Sequence, residues 1–339
     1  SSIIQDTPSN ASGVTQSRAN IRKVLEQNAP QLLERKIKEK RVGLPDLKNA
    51  INGQVVLRFA PNPNGPLSFG HSRGIVINSE YAKRYEGKWI LRFDDTDTVR
   101  KPPLPSAYKS IQEEVEWLTG KPADKIVIAS DRIETYYKYA SELISKGGAY
   151  ICTLSAEEFR EFRQNKSNSP DRDRSSEENL KLWERMLNGD FQPGEAVVRI
   201  KTDMTLPNPA LRDWPALRIQ DTENNPHPRE NINSKYKVWP LLDFQSGIED
   251  YLQGVTHIIR GKDLMDSTRK QTLLYEHFGW EYPEPTWGFT GCDYLFGTQS
   301  ECQAKCTSGP SPMGDKMKNV SGRDMCGFYA SSSDAPFTG

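Results

Sequence analysis

Residues 54–97 read QVVLRFAPNPNGPLSFGHSRGIVINSEYAKRYEGKWILRFDDTD, and the order of patterns within them decides the fold. Residues 54–60 are a short apolar run, as for a strand buried in a parallel sheet. A Pro/Asn/Gly loop follows. Next comes a helical stretch with Ile75, Ser79 and Ala82 on one face, closed by Gly87 as the residue past the helix end. Residues 88–93 are a second strand. Further along, Ile111, Val115 and Leu118 recur at i, i+4 and i+7, which predicts a helix over 107–118. Residues 125–129 are a third strand. Ser130 and Asp131 are expected to cap a helix running to about Lys146, stopped by Gly147 and Gly148. Strand, helix, strand, helix, strand is the signature of a parallel, doubly wound α/β sheet.

Beyond residue 148 that rhythm breaks. Ser155 with Glu158, and Ser175 with Glu178, form capping boxes that open two helices. The stretch 167–176 between them (SNSPDRDRSS) reads as a loop. Residues 196–200 and 216–219 read as strands in a Pro-rich setting, and 224–231 (NNPHPREN) as another loop. This is the composition of an α+β insertion. The α/β rhythm then returns, with a helix over 240–253 closed by Gly254, a strand over 255–260, and a helix capped by Asp266 that runs to Phe278. The reading divides the chain into 1–44, an N-terminal extension, 45–148, the first half of a Rossmann-type domain, 149–235, the insertion, 236–288, the second half, and 289–339, an atypical tail.

The 339 residues carry 45 Lys+Arg and 45 Asp+Glu, so a protein that coats polyanions over its whole surface is not expected. A local basic patch is still compatible with that balance. Mean hydropathy is −0.71, yet seven Trp, thirteen Tyr and twelve Phe supply bulk for real cores. No apolar run approaches the ~18 residues of a membrane-spanning helix, so no membrane association is expected. Residues 1–20 are polar without period and read as disordered. Residues 21–40 read as helical, with five basic residues among 35–41, which suits either a solvated face or contact with RNA phosphates. Four of the five cysteines (Cys292, Cys302, Cys306, Cys326) lie after residue 290. That is no disulfide framework, and a reducing, cytoplasmic setting is expected. The tail from 290 onward is rich in Gly and Ser and reads as unstructured.

The chemistry concentrates in RFAPNPNGPLSFGH, residues 58–71, at the strand-to-helix turn where such sheets bind ligands. Gly65 and Gly70 let a ligand approach the backbone. The helix start near His71 offers free N–H groups to a polyphosphate. His71 can donate to a phosphate oxygen as charge develops there. No Gly-Lys-Ser/Thr occurs, so this is not the lysine-bearing phosphate loop. Alone, such a loop is also what an ordinary tight turn looks like.

Several motifs together resemble the class I aminoacyl-tRNA synthetases of the glutamyl/glutaminyl subfamily. They are residues 58–71; LRFDDTD at 91–97, one helix later; GVTHIIRGKD at 254–263; and QTLLY at 271–275 followed by FGW at 278–280. The wording NPNGP at 62–66 and DFQS at 243–246 is similar to the archaeal-type glutamyl enzymes. The resemblance covers about residues 45–288. It implies a class I Rossmann-type catalytic fold split by an acceptor-stem-binding insertion, and a glutamate–tRNA ligase activity.

By that resemblance Pro61, Asn62, Gly65, Gly70 and His71 would bind ATP, with Mg2+ assisting. His71 and Ser68 would be catalytic, Ser68 standing where the family often has a first His. Asp94 would pair with the α-ammonium of L-glutamate, and Arg58 and Arg260 would read carboxylates through bidentate forks. Arg260 is the discriminator, because the glutaminyl branch does not keep a guanidinium there. Asp95 and Asp97 would pair with the substrate or brace the loop. Leu242 and Ser246 give the pocket a different wall from that of related enzymes. The partner would be a tRNA acceptor stem, met through basic residues around 160–174 and 199–201, and the protein a monomer. Residues 152–154 and 167–169 stand where some relatives show cysteine pairs, and one Cys makes no zinc site, so no metal site is expected. The stretch GDKMKN at 314–319 only weakly echoes the family's lysine loop. Three other readings stay open: a glutaminyl enzyme, an adenylate-forming relative serving another acceptor, and a non-catalytic nucleotide- or tRNA-binding remnant.

Overall fold

The computed structural model describes residues 23, 26–27, 44–261, 264–283 and 286–287. Lys23, Glu26 and Gln27 are helical, within the stretch expected to be a helix. The remaining expectations for 1–43 and for 288–339, including the tail cysteines and the echo of a lysine loop, lie outside the described residues, as do Lys262 and Asp263.

Three strands, β1 (Val56–Phe59), β2 (Lys88–Phe93) and β3 (Lys125–Ile128), form one parallel sheet in that order. Arg58 lies opposite Ile90, and Arg92 opposite Val127. The crossovers are α1 (Phe69–Arg84) and α2 (Pro105–Thr119). Leu57, Ile75, Tyr81, Trp89, Ile111 and Val115 are buried between sheet and helices. Each such side chain stabilises the fold by roughly 1.5–3 kcal/mol. This is the parallel α/β fold that the pattern predicts.

Gly87 acts differently from its expected role. Helix α1 ends at Arg84 with Tyr85 as C-cap, and Glu86 takes the left-handed conformation (φ 50°). Gly87 is needed for space instead. A Cβ there would lie 2.2 Å from the Val55 carbonyl oxygen, which accepts the Lys88 N–H at 2.8 Å. Ser130 is not a helix cap either. Residues Ala129–Arg132 form a 3-10 turn, in which the Ser130 N–H and hydroxyl both donate to Asp95, and α3 (Ile133–Ser145) follows.

After α3 the chain enters an antiparallel sheet, β4 (Ala149–Cys152), β5 (Val197–Ile200), β6 (Pro215–Ile219) and β7 (Val238–Pro240), in sequence order. Between β4 and β5 lie α4 (Ala156–Asn165) and α5 (Ser176–Asn188), each opened by its predicted capping box. The loop at 167–176 includes a 3-10 turn, Pro170–Asp173. The sheet takes in Val238–Pro240, past residue 235 where the sequence reading ends the insertion. Its core is continuous with the flanking helices: Tyr136, Leu143, Trp183, Leu217, Trp239 and Phe244 belong to one buried cluster.

Helix α6 (Leu242–Leu252) starts two residues later than predicted, because Pro240 is still paired to Leu217 in β7. Gly254 follows it with φ 64°, as expected. The predicted strand over 255–260 is mostly a clip onto β1. The Thr256 and His257 N–H groups both donate to the Val56 carbonyl, and only β8 (Ile259–Arg260) is regular. Helix α7 (Met265–Phe278) has Leu264 as its N-cap. The expected cap, Asp266, sits inside the first turn and accepts from Asn208. Strand β8 pairs in parallel with β9 (Thr286–Trp287).

Candidate active site

The C-terminal ends of β1 and β2 open into a cleft of about 860 Å³. Its wall includes Arg58, Asp94 and Arg260 together with Pro61, Asn62, Gly65, Gly70 and His71, so the residues singled out in the sequence share one hollow. Ser68 is exposed and does not line the cleft. The loop between β1 and α1 is fastened on three sides: Asp94 N–H donates to the Pro61 carbonyl, Leu104 N–H to the Pro63 carbonyl, and Leu67 N–H to the Glu114 carboxylate. The phosphate-type loop and the Asp94 turn are thereby held in one frame.

Ser68 caps α1, and His71 takes the place of the usual Glu or Gln in its capping box. The Ser68 N–H donates to His71 Nδ1 at 3.0 Å, which puts the proton of the neutral ring on Nε2. The ring is exposed on its cleft side but seated in the wall, and that partial burial lowers its pKa from 6.5. At neutral pH His71 therefore offers the cleft an N–H donor without a full charge. Nearby, Asn62 Oδ1 is buried and has no hydrogen-bond partner among the described residues, an acceptor left for a ligand donor.

Buried charge surrounds the other residues. Arg58 donates Nε and Nη2 to the two oxygens of Asp250, at 3.1 and 3.2 Å. Its fork is thus engaged inside the protein, which corrects the expectation of a bidentate grip on a ligand. Arg92, 1% exposed, donates to Asp94 Oδ1 (2.8 Å), Asp250 Oδ1 (2.7 Å) and Ser246 Oγ (2.7 Å). Arg260 meets uncharged acceptors at hydrogen-bond distance, namely Thr268 Oγ1 (3.0 Å), Tyr282 OH (3.1 Å) and Gln271 Oε1 (2.5 Å). Asp250 Oδ2 stands 3.9 Å away.

The electrostatics follow from that geometry. Burial alone would raise Asp250, but Arg58 and Arg92 outweigh it and hold the carboxyl at about 2. Burial also disfavours the Arg92 charge, and Asp94 and Asp250 outweigh it to hold that proton more firmly than usual. Burial, with the Arg58 guanidinium nearby, weakens Arg260's hold on its proton, although an arginine stays charged in a protein. Burial pushes Asp94 up from 3.8, against the pull of Arg92 and the Gln245 amide. Three buried guanidinium groups face two buried carboxylates, a surplus of one positive charge. Asp94 Oδ1 accepts from both Arg92 and Gln245, while Oδ2 accepts from no described residue.

Asp95 and Asp97 brace the turn. Asp95 is fully buried and accepts from Ser130 and Tyr108, with His227 Nε2 at 3.3 Å. Asp97 accepts from the Val99 and Arg100 N–H groups and from Arg218. Leu242 and Ser246 do line the cleft. Sequence reasoning missed Arg92, Gln245, Asp250 and Gln271. Arg92 had a signal, since it stands two residues before Asp94 and so shares its face of the strand. Among the described residues no three His, Cys, Asp or Glu side chains cluster as metal ligands.

The family described as "tRNA synthetases class I (E and Q), catalytic domain" matches residues 54–292. A protein named glutamate–tRNA ligase from Archaeoglobus fulgidus is 55% identical over 240 residues, which are 71% of this chain and 42% of that protein. One of the same name from Methanosarcina mazei is 51% identical over 267 residues, 78% of this chain and 46% of that protein. The chain thus spans less than half the length of these curated relatives. A solved glutamate tRNA ligase from Elizabethkingia meningosepticum, in complex with its amino acid, shares the fold. Its TM-score is 0.51 at 23% identity, over 69% of this chain and 49% of that one. The chain belongs to the class I tRNA synthetases of the E and Q group and carries their catalytic domain.

Proposed function

We propose that this chain is the catalytic part of a glutamate–tRNA ligase. The observation that carries the reading is the surplus positive charge buried in and beneath the wall of the cleft that holds the phosphate-type loop. L-glutamate brings one ammonium and two carboxylates, a net single negative charge that neutralises the surplus. Glutamine brings none, and a desolvated guanidinium left unpaired is costly.

In the first step a glutamate α-carboxylate oxygen attacks the α-phosphorus of ATP. The bond to the bridging oxygen breaks, and pyrophosphate leaves. In the second, a ribose hydroxyl at the tRNA 3′ end attacks the acyl carbon of glutamyl-adenylate, and AMP leaves. Asp94 Oδ2 holds the α-ammonium, and Arg260 faces the side-chain carboxylate. Arg58 supports that charge through Asp250. Pro61, Asn62, Gly65 and Gly70 shape the nucleotide cradle. His71 Nε2 donates to a phosphate oxygen as negative charge grows there, and Ser68 fixes its tautomer. The protein supplies positioning and charge, and no side chain becomes a covalent nucleophile. Among the described residues no carboxylate cluster offers Mg2+ a seat; Mg2+ is readily held by phosphate oxygens and waters. The insertion is the surface for the tRNA acceptor stem, and the protein works as a cytoplasmic monomer. No described helix is long and apolar enough to cross a membrane.

ATP–pyrophosphate exchange in the presence of tRNA tests this. Exchange should depend on L-glutamate and not on L-glutamine. Arg260→Ala should raise the glutamate KM about tenfold or more while the ATP KM stays within about twofold. Equal effects on both constants, or glutamine serving as well as glutamate, would overturn the reading.

A further inference from the structure

Asp94 is useful to an ammonium only while one of its oxygens stays free, and the structure shows what keeps it free. Gln245, fully buried on α6, donates Nε2 to Asp94 Oδ1 at 2.6 Å. Its other end is committed as well, because Oε1 accepts the Thr96 hydroxyl at 2.9 Å. A reversed amide would set its oxygen against the acceptor-only carboxylate, so Asp94 selects this orientation and the Thr96 hydroxyl completes it as donor. Thr96 is in turn held from the insertion. Its carbonyl accepts from Gln220 Nε2 at 2.9 Å, and Gln220 Oε1 accepts from the N–H and hydroxyl of Thr98, each at 3.0 Å.

We infer that Thr96 and Gln245 form a positioning pair that pins Asp94 Oδ1 and leaves Oδ2 turned to the cleft for the ammonium of an amino acid. The terminal torsion of an aspartate is broad and soft. Without the amide, the carboxylate would swing to share both oxygens with the Arg92 guanidinium, whose Nε already lies 2.8 Å from Oδ1. A bidentate carboxylate–guanidinium pair is a strong alternative. The oxygen meant for the ligand would then be lost although no residue that touches the ligand had been replaced. The inference rests on the proposed activation of glutamate.

The test uses the full chain, with Thr96→Val, which replaces the hydroxyl by a methyl group of similar size, and Thr96→Ser, which restores it. Glutamate and ATP constants come from ATP–pyrophosphate exchange, and glutarate, which lacks the amino group, is measured as a competitive inhibitor. KM and Ki do not depend on how much of a preparation is folded, so partial misfolding leaves the readout intact. Thr96→Val should raise the glutamate KM about tenfold, with the ATP KM and the glutarate Ki within about twofold of the parent and Thr96→Ser close to normal. An unchanged glutamate KM, a glutarate Ki that worsens in parallel, or failure of Thr96→Ser to recover would each overturn the inference. A parent protein with no glutamate-dependent exchange would overturn the function and the inference together. A glutamate-dependent parent with an indifferent Thr96→Val would overturn the inference alone.

Discussion

Asp250 accepts both prongs of Arg58 and one donor of Arg92, and it lies 3.9 Å from Arg260. Removing its charge would leave three guanidinium groups with one carboxylate among them. Losing one partner of a buried ion pair typically costs about 3–5 kcal/mol. The pH dependence follows from its depressed pKa, about 2 when folded against 3.8 ordinarily. Such a group contributes its stability in full above the unfolded value, and the contribution fades as pH falls through the folded one. Urea midpoints measured from pH 6 to pH 2 should therefore drop in the parent mainly below about pH 4. Asp250→Asn should start lower at pH 6 and change less over that window. A parallel acid limb in the two proteins would mean that another carboxylate sets the acid response. At this scale the motif residues Asp94, His71 and Arg260 were legible in the sequence, whereas Asp250 was not. A polar residue in a helix reads equally well as solvated surface.

Helix α6 shows why at the scale of an element. Gln245, Ser246, Glu249 and Asp250 make one polar stripe at i, i+1, i+4 and i+5, and the stripe is buried. Periodicity finds the stripe but does not say which side faces water. Local signals did better where the chemistry is local. The capping boxes at Ser155 and Ser175, the bounds of β2 and the left-handed Gly254 all follow from neighbours in sequence. Gly87 marks the limit: a glycine past a helix end was predicted, but its job is to clear the Val55 carbonyl one strand away. Gly87→Ala should lower unfolding stability by about 1–3 kcal/mol, the usual range for overpacking. Gly65, whose Cβ would meet nothing within 4 Å, is the contrast. Gly65→Ala should leave stability within about 0.5 kcal/mol and instead raise the ATP KM. Chemical denaturation and exchange kinetics on the pair separate a glycine kept for packing from one kept for a ligand.

At the scale of the whole molecule the parallel sheet packs in one buried cluster and the antiparallel sheet of the insertion in a second, which it shares with the catalytic domain's flanking helices. The cluster that holds Trp183 and Leu217 of the insertion also holds Tyr136 of α3 and Phe244 of α6. The insertion also grips the catalytic turn directly, with Gln220 on Thr96 and Thr98, and with His227 against Asp95. The insertion is thus fastened by hydrogen bonds to the turn that follows Asp94. Arg163 lies on α4 of the insertion. Burial, and then the repulsion of Arg199, Arg160 and Arg212, weakens its hold on a proton, and a phosphate would relieve that. Binding of tRNA should weaken linearly in log K against log salt. Arg163→Ala should reduce the slope by about one. Filter binding at several salt concentrations reads both, and an unchanged slope would remove Arg163 from the interface.

The sequence by itself determined the alternation of strands and helices, the loop at 58–71 and its place at a strand end, because these depend on neighbours a few residues apart. It also picked out acidic and basic motif residues, Arg58, Asp94 and Arg260, that line one cleft. Only the tertiary structure decided which buried charges oppose one another, that Arg58 is engaged internally while Arg260 lacks a close carboxylate, and that Asp94 keeps one oxygen free. The contacts of Arg58 and Arg92 with Asp250, and of Gln245 with Asp94, join residues more than 150 positions apart. Burial strengthens such contacts, and no local pattern records them.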